Sequence, residues 1–502
     1  MSYLLGIDIG TSGVKCLLLS VEEGKILGTK TENYPISTPK SGWSEQNPED
    51  WWEATQKCIA GLIADTGIKA EEIKGLSFSG QMHSSVFLDE NMEVIRPAIL
   101  WSDTRTSKQC QEIYEKAGGL ESLIDYVSNP ALEGFTAPKI LWLKENEPDN
   151  FSRLDLVLLP KDYIRYKLCG EINMDVSDGA GTLLMDVEKN DWSDGLLEKL
   201  DLSRDILPPL VDSIAVTGKI TEDVANKTGL AVGTPVVAGG ADNSCGAVGS
   251  GIIKEGRVMV SIGTSGVVVA FAPEAAADPG GRIHLFNHSR PDSWYMMGVV
   301  LSAGMSFQWM KESLFADDID FARLNELAAD TNPGSDGVIF LPYLYGERTP
   351  HADANARGVY FGIGAEHQQK HFIRSVMEGV AYALKDSLEL IKEQGVAVDE
   401  IRAIGGGAKS AVWQQILADV FGQDISLLNV EEGPAFGAAL IAGVGVGVYD
   451  SFEEAEGDYI KIVKTIAPIE ENVKAYEKYY PQYRKLYTSL KENFKELAEV
   501  NN

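Results

Sequence analysis

A Gly-Thr-Ser-Gly sequence occurs twice in the chain, at residues 10–13 and again at residues 263–266. In both places it separates two apolar stretches that read as β-strands, so each copy predicts a strand–turn–strand unit. Glycine lets the backbone of such a turn approach a ligand closely, and the N–H and hydroxyl donors suit a phosphate oxygen. The alternative is a plain hairpin turn, although the repetition favours the phosphate interpretation.

The two copies differ at a position where a charge would matter. Asp8 precedes the first turn, and Ser261 holds the same place before the second. A carboxylate beside a phosphate-binding turn suits contact with a hydrated Mg²⁺. We therefore predict that two facing turns hold one polyphosphate and that only the first has a carboxylate on the metal side. The pattern G-x-x-x-x-G-K-[ST] does not occur in the sequence, which excludes a P-loop protein.

Other polar residues also follow stretches that read as buried strands. In VVAGGADNSCGAVGSG, residues 236–251, Asp242 and Asn243 come directly after the glycines. This position suits a carboxylate that faces a ligand cleft, and a turn-capping aspartate is the alternative. In SGQMHSS, residues 79–85, the notable side chain is His83. A single histidine is more often structural, so this segment alone indicates little.

Two glycine-rich pieces late in the chain run into predicted helices. They are AIGGGAKSAVWQQILADVFG, residues 403–422, and EEGPAFGAALIAG, residues 431–443. Helix N-termini that are closely approached by backbone favour anionic ligands such as a nucleotide. For Gly433 and Pro434, close helix packing is the competing interpretation.

Composition limits the classes of function. The chain has 502 residues and a net charge of −30, so we expect two or more domains and no binding to nucleic acid or anionic membranes. Its five cysteines are far apart, which favours a reducing cytosol over disulfides or a zinc site. We see no signal peptide, and the uncharged stretch 433–449 is too short to span a bilayer.

Both halves of the chain read as mixed α/β. Residues 49–67 predict an amphipathic helix followed by a strand at 73–80, and residues 371–395 predict a long helix followed by a strand at 400–407. A terminal helix is expected from about Pro468. The simplest organisation is a duplicated pair of domains, 1–245 and 246–502, with a hinge in the short connections near residues 240 to 256.

Two segments carry a family resemblance that extends over nearly the whole chain. GFTAPKILWLKEN, residues 134–146, and GVYFGIGAEHQQKHFIRSVME, residues 358–378, resemble the signatures of the FGGY family of carbohydrate kinases, within the actin-like ATPase superfamily. The resemblance implies an α/β fold of two duplicated actin-like (ribonuclease H-like) domains with a nucleotide and sugar cleft between them. It also implies ATP and Mg²⁺ as cofactors, a cytoplasmic location and small-molecule partners, and relatives are often homodimers.

The substrate expectation comes from further segments. WSEQNPEDWW, SGQMH, RPAILWSDTRT, LLPKDYIRYKLCGE, GGADNS and FLPYLYGERTPH are similar to the branch of the family that phosphorylates D-xylulose. The alternatives are a kinase for ribulose, gluconate or a pentitol, and a non-catalytic actin-like nucleotide-binding protein. Glu347 and Arg348, in the last of these segments, receive no role from the resemblance, although charges beside a turn suit a position that faces the cleft.

The resemblance implies roles for individual residues. Asp242 is expected to be the general base, and Asp8 to lie near the transferred phosphoryl group and to contact Mg²⁺ through water. The residues expected to hold the sugar are Gln81, Met82, His83, Asp242 and Asn243. The residues expected to hold ATP are Thr11, Ser12, Gly13, Lys15, Thr264, Gly304, Gln308, Gly406, Gly407 and Ser410. Lys15 and Ser410 stand where some relatives have Arg and Asn.

Overall fold

The computed structural model describes residues 1–315, 319–430 and 433–501. The chain forms two compact units. The first comprises Met1–Ile253, Ala272–Tyr295 and Glu432–Ile460, and the second comprises Lys254–Phe271, Met296–Glu431 and Lys461–Asn502. The expected domain boundary at residue 245 stays a prediction. Within the described ranges, no helix combines the length and the apolar character that crossing a membrane requires.

Strands and helices alternate along the chain. The strands are β1 (Tyr3–Ile9), β2 (Gly13–Ser20), β3 (Lys25–Asn33), β4 (Glu45–Gln46), β5 (Ile73–Gly80), β6 (Val86–Leu88), β7 (Ala98–Ile99), β8 (Leu156–Leu158), β9 (Met174–Asp175), β10 (Met185–Asp186), β11 (Asp191–Trp192), β12 (Leu210–Val211), β13 (Val216–Lys219), β14 (Pro235–Val237), β15 (Gly240–Ala241), β16 (Gly256–Ile262), β17 (Gly266–Ala272), β18 (His284–Asn287), β19 (Trp294–Val300), β20 (Ile339–Leu341), β21 (Val359–Phe361), β22 (Val398–Ile404), β23 (Ile425–Leu428) and β24 (Ile462–Ile466).

The helices are α1 (Pro48–Thr66), α2 (Ser107–Ala117), α3 (Leu120–Val127), α4 (Thr136–Asn146), α5 (Pro148–Phe151), α6 (Pro160–Cys169), α7 (Val176–Ala180), α8 (Asp194–Leu200), α9 (Glu222–Thr228), α10 (Asp242–Gly249), α11 (Gly304–Leu314), α12 (Phe321–Ala329), α13 (Gln369–Glu393), α14 (Ala411–Phe421), α15 (Gly433–Gly445), α16 (Phe452–Tyr459) and α17 (Glu470–Asn501). The predicted helices at 49–67 and 371–395, the helix expected after the glycines of residues 403–422 and the terminal helix are confirmed as α1, α13, α14 and α17.

The main sheet of the first unit has β1 near its centre. Its order is β13-β14-β5-β1-β2-β3, with β15 beside β5. β1 runs antiparallel to β2 and parallel to β5. Leu5, Ile7 and Ile9 form one core with Trp51 and other side chains of α1. Because β1 is covered on both faces, it reads as a nearly continuous apolar run that Asp8 interrupts.

The second face of β1 packs against α15 through glycines. A Cβ at Gly6 would lie 1.9 Å from the carbonyl oxygen of Ala435, and a Cβ at Gly437 would lie 1.8 Å from that of Cys245 on α10. Only glycine permits such close backbone contact. Close packing therefore accounts for Gly437, whereas a Cβ at Gly433 would have no atom of the described residues within 4 Å, so packing does not explain that glycine. The two glutamates that precede it in EEGPAFGAALIAG lie outside the described residues.

The second unit repeats the arrangement at the head of the first. β16 runs antiparallel to β17 and parallel to β22, just as β1 does to β2 and β5. The sheet continues from β22 through β23 to β24. The predicted strand–turn–strand unit is therefore confirmed in both halves, each beside a parallel strand from later in its own unit.

The two Gly-Thr-Ser-Gly loops nevertheless close differently, although identical residues predict identical turns. In the first, Ile9 pairs with Val14, which leaves four residues in the loop. In the second, Ile262 pairs with Gly266, which leaves three. The register therefore shifts by one residue, and such a shift exchanges which side chains share a face. Asp8 lies opposite Lys15 as a result, whereas Ser261 lies opposite Val267.

Different neighbours hold the two loops in these forms. The carbonyl of Gly10 accepts hydrogen bonds from the Tyr34 hydroxyl and the Gln81 amide, and that of Thr11 accepts one from Gln46 Nε2 at 2.7 Å. In the second loop the carbonyls accept backbone N–H groups from the start of α11 instead. Tertiary contacts outside the repeated sequence therefore select each turn.

Candidate active site

The carboxyl ends of three strands bring the two predicted acidic residues of the first unit to one edge of its sheet. Asp8 on β1 lies beside Ser79 on β5, and Ser79 lies beside Gly240 on β15. β15 ends one residue before Asp242, which begins α10. Ligands of open α/β sheets bind at such an edge, outside the carboxyl ends of the parallel strands.

Asp242 is half-buried and has an altered acidity. Its Oδ1 accepts hydrogen bonds from the backbone N–H of Asn243 at 2.7 Å and from Asn243 Nδ2 at 3.0 Å. Burial, and then the negative charge of Asp8, raise the pKa of Asp242 from 3.8 to about 7. Its Oδ2 has no hydrogen-bond partner among the described residues. The carboxyl thus keeps one oxygen for a ligand proton and titrates near neutral pH.

The environment of Asp8 bears on whether its carboxylate suits contact with Mg²⁺. Burial raises its pKa, while the neighbouring Ser79 hydroxyl and the charge of Lys15 act in the opposite direction. Its Oδ1 is buried without a hydrogen-bond partner in the part of the chain that the structure describes. No cluster of three His, Cys, Asp or Glu residues in that part could hold a metal. One carboxylate oxygen fits Mg²⁺, which keeps several waters and takes its remaining ligands from phosphates.

The side chains expected to hold the sugar meet near Asp242. Asn243 Nδ2 lies 3.5 Å from the Met82 sulfur, and the Tyr295 hydroxyl lies 3.9 Å from the same sulfur. The His83 ring packs against Phe135, with 4.4 Å between ring centroids. Tyr295 and Phe135 were not identified from the sequence, where apolar aromatic residues in strands and helices read as ordinary core.

His83 is held in an uncommon backbone conformation. Its φ is +67°, which is in the left-handed region. Its carbonyl accepts hydrogen bonds from Thr136 Oγ1 at 3.0 Å and Lys139 Nζ at 2.9 Å, and Nδ1 contacts the Gly181 carbonyl at 2.5 Å. The signature segment GFTAPKILWLKEN therefore supplies two groups that hold the histidine backbone in place, a connection that spacing in the sequence does not reveal.

Gln81 is placed differently from the other four expected sugar ligands. It is buried, its Oε1 accepts the Ser84 hydroxyl at 3.0 Å, and its Nε2 donates to Gly10 O at 3.4 Å and Gln46 Oε1 at 3.3 Å. These contacts use its amide to support the first Gly-Thr-Ser-Gly loop. A direct contact between Gln81 and a sugar stays a prediction.

The first loop and the start of β2 carry the four nucleotide-binding residues expected in this unit. Thr11 Oγ1 accepts a hydrogen bond from Trp101 Nε1 at 2.9 Å, and Gly10 N donates to Gly13 O at 3.1 Å. Ser12 is exposed at the tip of the loop, and Lys15 follows on β2. Thr11, Ser12, Gly13 and Lys15 therefore surround the end of β1 that carries Asp8.

The second unit contains a cavity of about 590 Å³ that gathers the other expected nucleotide-binding residues. Those that line it are Thr264, Gly304, Gln308, Gly406, Gly407 and Ser410. Backbone of the second Gly-Thr-Ser-Gly loop, residues 263–264, lies in the same wall. This volume, with backbone donors and apolar side chains, suits a nucleotide.

Aromatic residues in this cavity were not identified from the sequence. Phe307 and Phe321 line it and stack with 5.7 Å between centroids and an interplanar angle of 22°. Asn325, also in the wall, accepts a hydrogen bond from Ser410 Oγ at 2.9 Å. Ser410 also caps α14 through the N–H of Trp413. A flat apolar surface beside polar groups is what a nucleobase requires.

Comparison with known proteins identifies the family. The model of the FGGY family of carbohydrate kinases, N-terminal domain, matches residues 3–249, and that of the C-terminal domain matches residues 258–446. The chain belongs to the FGGY family of carbohydrate kinases. Its two sheet-containing units have the actin-like ATPase fold of FGGY kinases, which confirms the expected fold class.

Several FGGY kinases resemble the chain along its full length. The chain is 44% identical to the xylulose kinase of Bacillus subtilis (strain 168) over 492 residues, 98% of each chain. A ligand-bound xylulose kinase structure from Lactobacillus acidophilus is 27% identical with a TM-score of 0.94, covering 99% of this chain and 100% of that one. A gluconate kinase structure from the same organism is 26% identical with a TM-score of 0.94, covering 99% of both.

Proposed function

We propose that this FGGY kinase transfers the γ-phosphoryl group of ATP to D-xylulose and releases D-xylulose 5-phosphate. The observation that carries the proposal is the edge of the first sheet. There the Asp242 carboxyl group, with a pKa of about 7, lies near the Asp8 carboxylate and the first Gly-Thr-Ser-Gly loop. The cavity in the second unit, with its glycine-rich wall and stacked phenylalanines, supports nucleotide binding.

In this proposal Asp242 is the general base. Its Oδ2 accepts the proton of the sugar O5 hydroxyl as that oxygen forms a bond to the γ-phosphorus and the bond from phosphorus to the ADP oxygen breaks. The two hydrogen bonds from Asn243 hold the carboxyl group in one orientation. Phosphoryl transfer depends mainly on positioning and on neutralising charge, so a fixed base suits it.

The remaining polar groups have supporting roles. Asp8 would hold Mg²⁺ through water, and the chemistry supplied there would be neutralisation of charge on the phosphate oxygens. Thr11, Ser12, Gly13 and Lys15 bind phosphate oxygens from the first unit. Thr264, Gly304, Gln308, Gly406, Gly407 and Ser410 bind the nucleotide from the second. We expect the protein to form a homodimer, which light scattering tests. We also expect a cytoplasmic location, which cell fractionation tests.

The choice of D-xylulose is supported by the relatives named above rather than by fold. The gluconate and xylulose kinase structures match the chain equally well by TM-score, so fold alone does not separate the two substrates. The 44% identity to the Bacillus subtilis enzyme favours xylulose.

A substrate panel tests this choice. ADP release, coupled to NADH oxidation, is measured with D-xylulose, L-ribulose, gluconate and glycerol at equal enzyme concentration. We expect the highest kcat/KM with D-xylulose, by about tenfold, the factor that roughly 1.4 kcal/mol of differential binding produces. A higher kcat/KM for any other sugar or polyol would contradict the assignment of D-xylulose as the substrate but not the assignment of the protein as a kinase.

Lys139→Met tests the support of His83. Burial lowers the pKa of Lys139 well below its usual range, and Nζ has at least two N–H groups in either protonation state. These match two acceptors, the carbonyls of His83 and Gly134. Removing them leaves two buried carbonyls short of a donor and loosens the turn, so we expect KM for D-xylulose to rise about tenfold with KM for ATP unchanged.

The matched control is Lys144→Met on the same helix. Lys144 contacts Asp201 near the surface, so its replacement is expected to leave both constants unchanged. An equal rise of both KM values in Lys139→Met would indicate general damage rather than a loss specific to the sugar.

A further inference from the structure

Glu347 is a buried carboxyl group in the segment FLPYLYGERTPH. Its side chain is enclosed by the protein, with 2% of its surface exposed. Its Oε1 accepts the backbone N–H groups of Leu301 at 2.9 Å and Arg348 at 2.8 Å. Its Oε2 is buried without a hydrogen-bond partner among the residues that the structure describes. Burial raises its pKa to about 8, so the neutral acid predominates at pH 7.

A neighbouring threonine contacts the same stretch of chain. Thr349 N donates to the Val299 carbonyl at 3.1 Å, and Thr349 Oγ1 accepts the Val299 N–H at 3.0 Å. Together, Glu347 and Thr349 make three hydrogen bonds to residues 299–301, where β19 ends. This junction is therefore held by side-chain and backbone groups from a different part of the sequence.

The same junction leads directly to the second Gly-Thr-Ser-Gly loop. Ala303 N and Met305 N donate to the Thr264 carbonyl at 3.1 and 3.0 Å, and Gly304 N donates to the Gly263 carbonyl at 2.8 Å. A Cβ at Gly304 would lie 2.4 Å from Gly263 O, so the two backbones are in direct contact. A displacement of residues 299–301 would therefore move the neighbouring residues that contact the loop.

We propose that Glu347 is a positioning residue for the second Gly-Thr-Ser-Gly loop and, through it, for the phosphate groups of the nucleotide. It acts through residues 299–305 and touches no ligand itself. The inference rests on the proposed function, since it takes this loop to be part of the ATP site. It gives a role to a motif that the family resemblance leaves without one.

Direct binding measurements test it. Titration calorimetry with ATP and, separately, with D-xylulose is performed on the wild type, Glu347→Ala and Glu347→Gln. The alanine variant loses the acceptor for Leu301, so we expect its Kd for ATP to rise about tenfold, with Kd for D-xylulose within twofold of the wild type. The glutamine variant keeps a neutral Oε1 acceptor and is expected to bind both ligands like the wild type.

The matched control is Glu378→Ala in the same unit. Glu378 is equally buried, accepts hydrogen bonds from Gly334 N and Ser335 Oγ and forms an ion pair with Arg374. We expect this variant to melt at a lower temperature without a change in Kd for ATP. If Glu347→Ala does not fold, Thr349→Val replaces it in the test. Thr349→Val removes only the acceptor for the Val299 N–H and is expected to raise Kd for ATP about threefold.

The outcomes separate the inference from the function on which it rests. Wild-type affinity for ATP in Glu347→Ala, or in Thr349→Val when the alanine variant does not fold, overturns the inference alone. An equal loss of ATP affinity in Glu378→Ala also overturns it, because the effect would then be general destabilisation. A wild type that binds no ATP overturns the proposed function together with the inference.

Discussion

Replacing Asp242 by Asn is expected to lower kcat by about 10³-fold, within the range of roughly 10² to 10⁴ that a general base contributes. The amide keeps the size of the carboxyl group and can still accept the N–H of Asn243, but it cannot take a proton. ATP and sugar affinities are expected to stay within a few-fold of the wild type. Asp223→Asn, on the exposed side of α9, is the matched control and should retain full activity.

The pH dependence follows from the same carboxyl group. With a pKa of about 7, Asp242 becomes a proton acceptor as the pH rises through neutrality, so kcat/KM for the sugar should rise between pH 6 and 8 and then level off. The midpoint is read from initial rates in buffers of constant ionic strength. A rate that is independent of pH across this interval, or retained turnover in Asp242→Asn, would contradict the assignment.

Stability provides the internal check on this variant. Folding raises the pKa of Asp242 from 3.8 to about 7, so the folded state binds this proton more tightly than the unfolded state does. The stability that this proton provides is complete below pH about 4 and is lost as the pH rises through 7. Asn does not ionise. Asp242→Asn should therefore melt at a higher temperature than the wild type at pH 8, and the inactive variant would be shown to be folded.

The second large effect is expected from Asp8→Asn, with about a 10²-fold loss of kcat/KM for ATP and a higher Mg²⁺ requirement, as for other outer-sphere metal contacts. Ser261→Ala is the matched change at the same place in the second copy. Ser261 lies opposite Val267 rather than a lysine, so its replacement should change activity by less than about threefold. Both are measured by Mg²⁺ titration of initial rates.

Equal effects of the two changes would contradict this asymmetric interpretation of the repeated turns. An unchanged Mg²⁺ requirement in Asp8→Asn would separate the carboxylate from the metal while leaving its catalytic role open to direct test by phosphoryl-transfer rates.

The parts of the fold that depend on local pattern could be predicted from the sequence. Apolar runs that end in glycine turns predict β1 and β5, and the helical spacing of apolar residues predicts α13. These patterns are local, so they do not depend on distant contacts. The resemblance to FGGY kinases then led to six residues that line a single cavity.

The parts that depend on distant contacts could not. The one-residue difference between the two loops arises from hydrogen bonds made by Tyr34 and Gln46 in one case and by the start of α11 in the other. The pKa of Asp242 depends on burial and then on the charge of Asp8, which is remote in sequence. Phe321 and Asn325 carry no motif, and only their place on α12 brings them into the cavity.

The glycine contact between β1 and α15 has a consequence for how the protein is made. Gly6 is covered by Ala435, which lies about 430 residues later in the chain. One face of β1 therefore has no partner until about 430 further residues have been translated, and long-range contacts of this kind slow folding. The sheet that contains β1 must therefore stay soluble with one apolar face uncovered throughout that interval. This requirement concerns the synthesis of the protein rather than its catalysis.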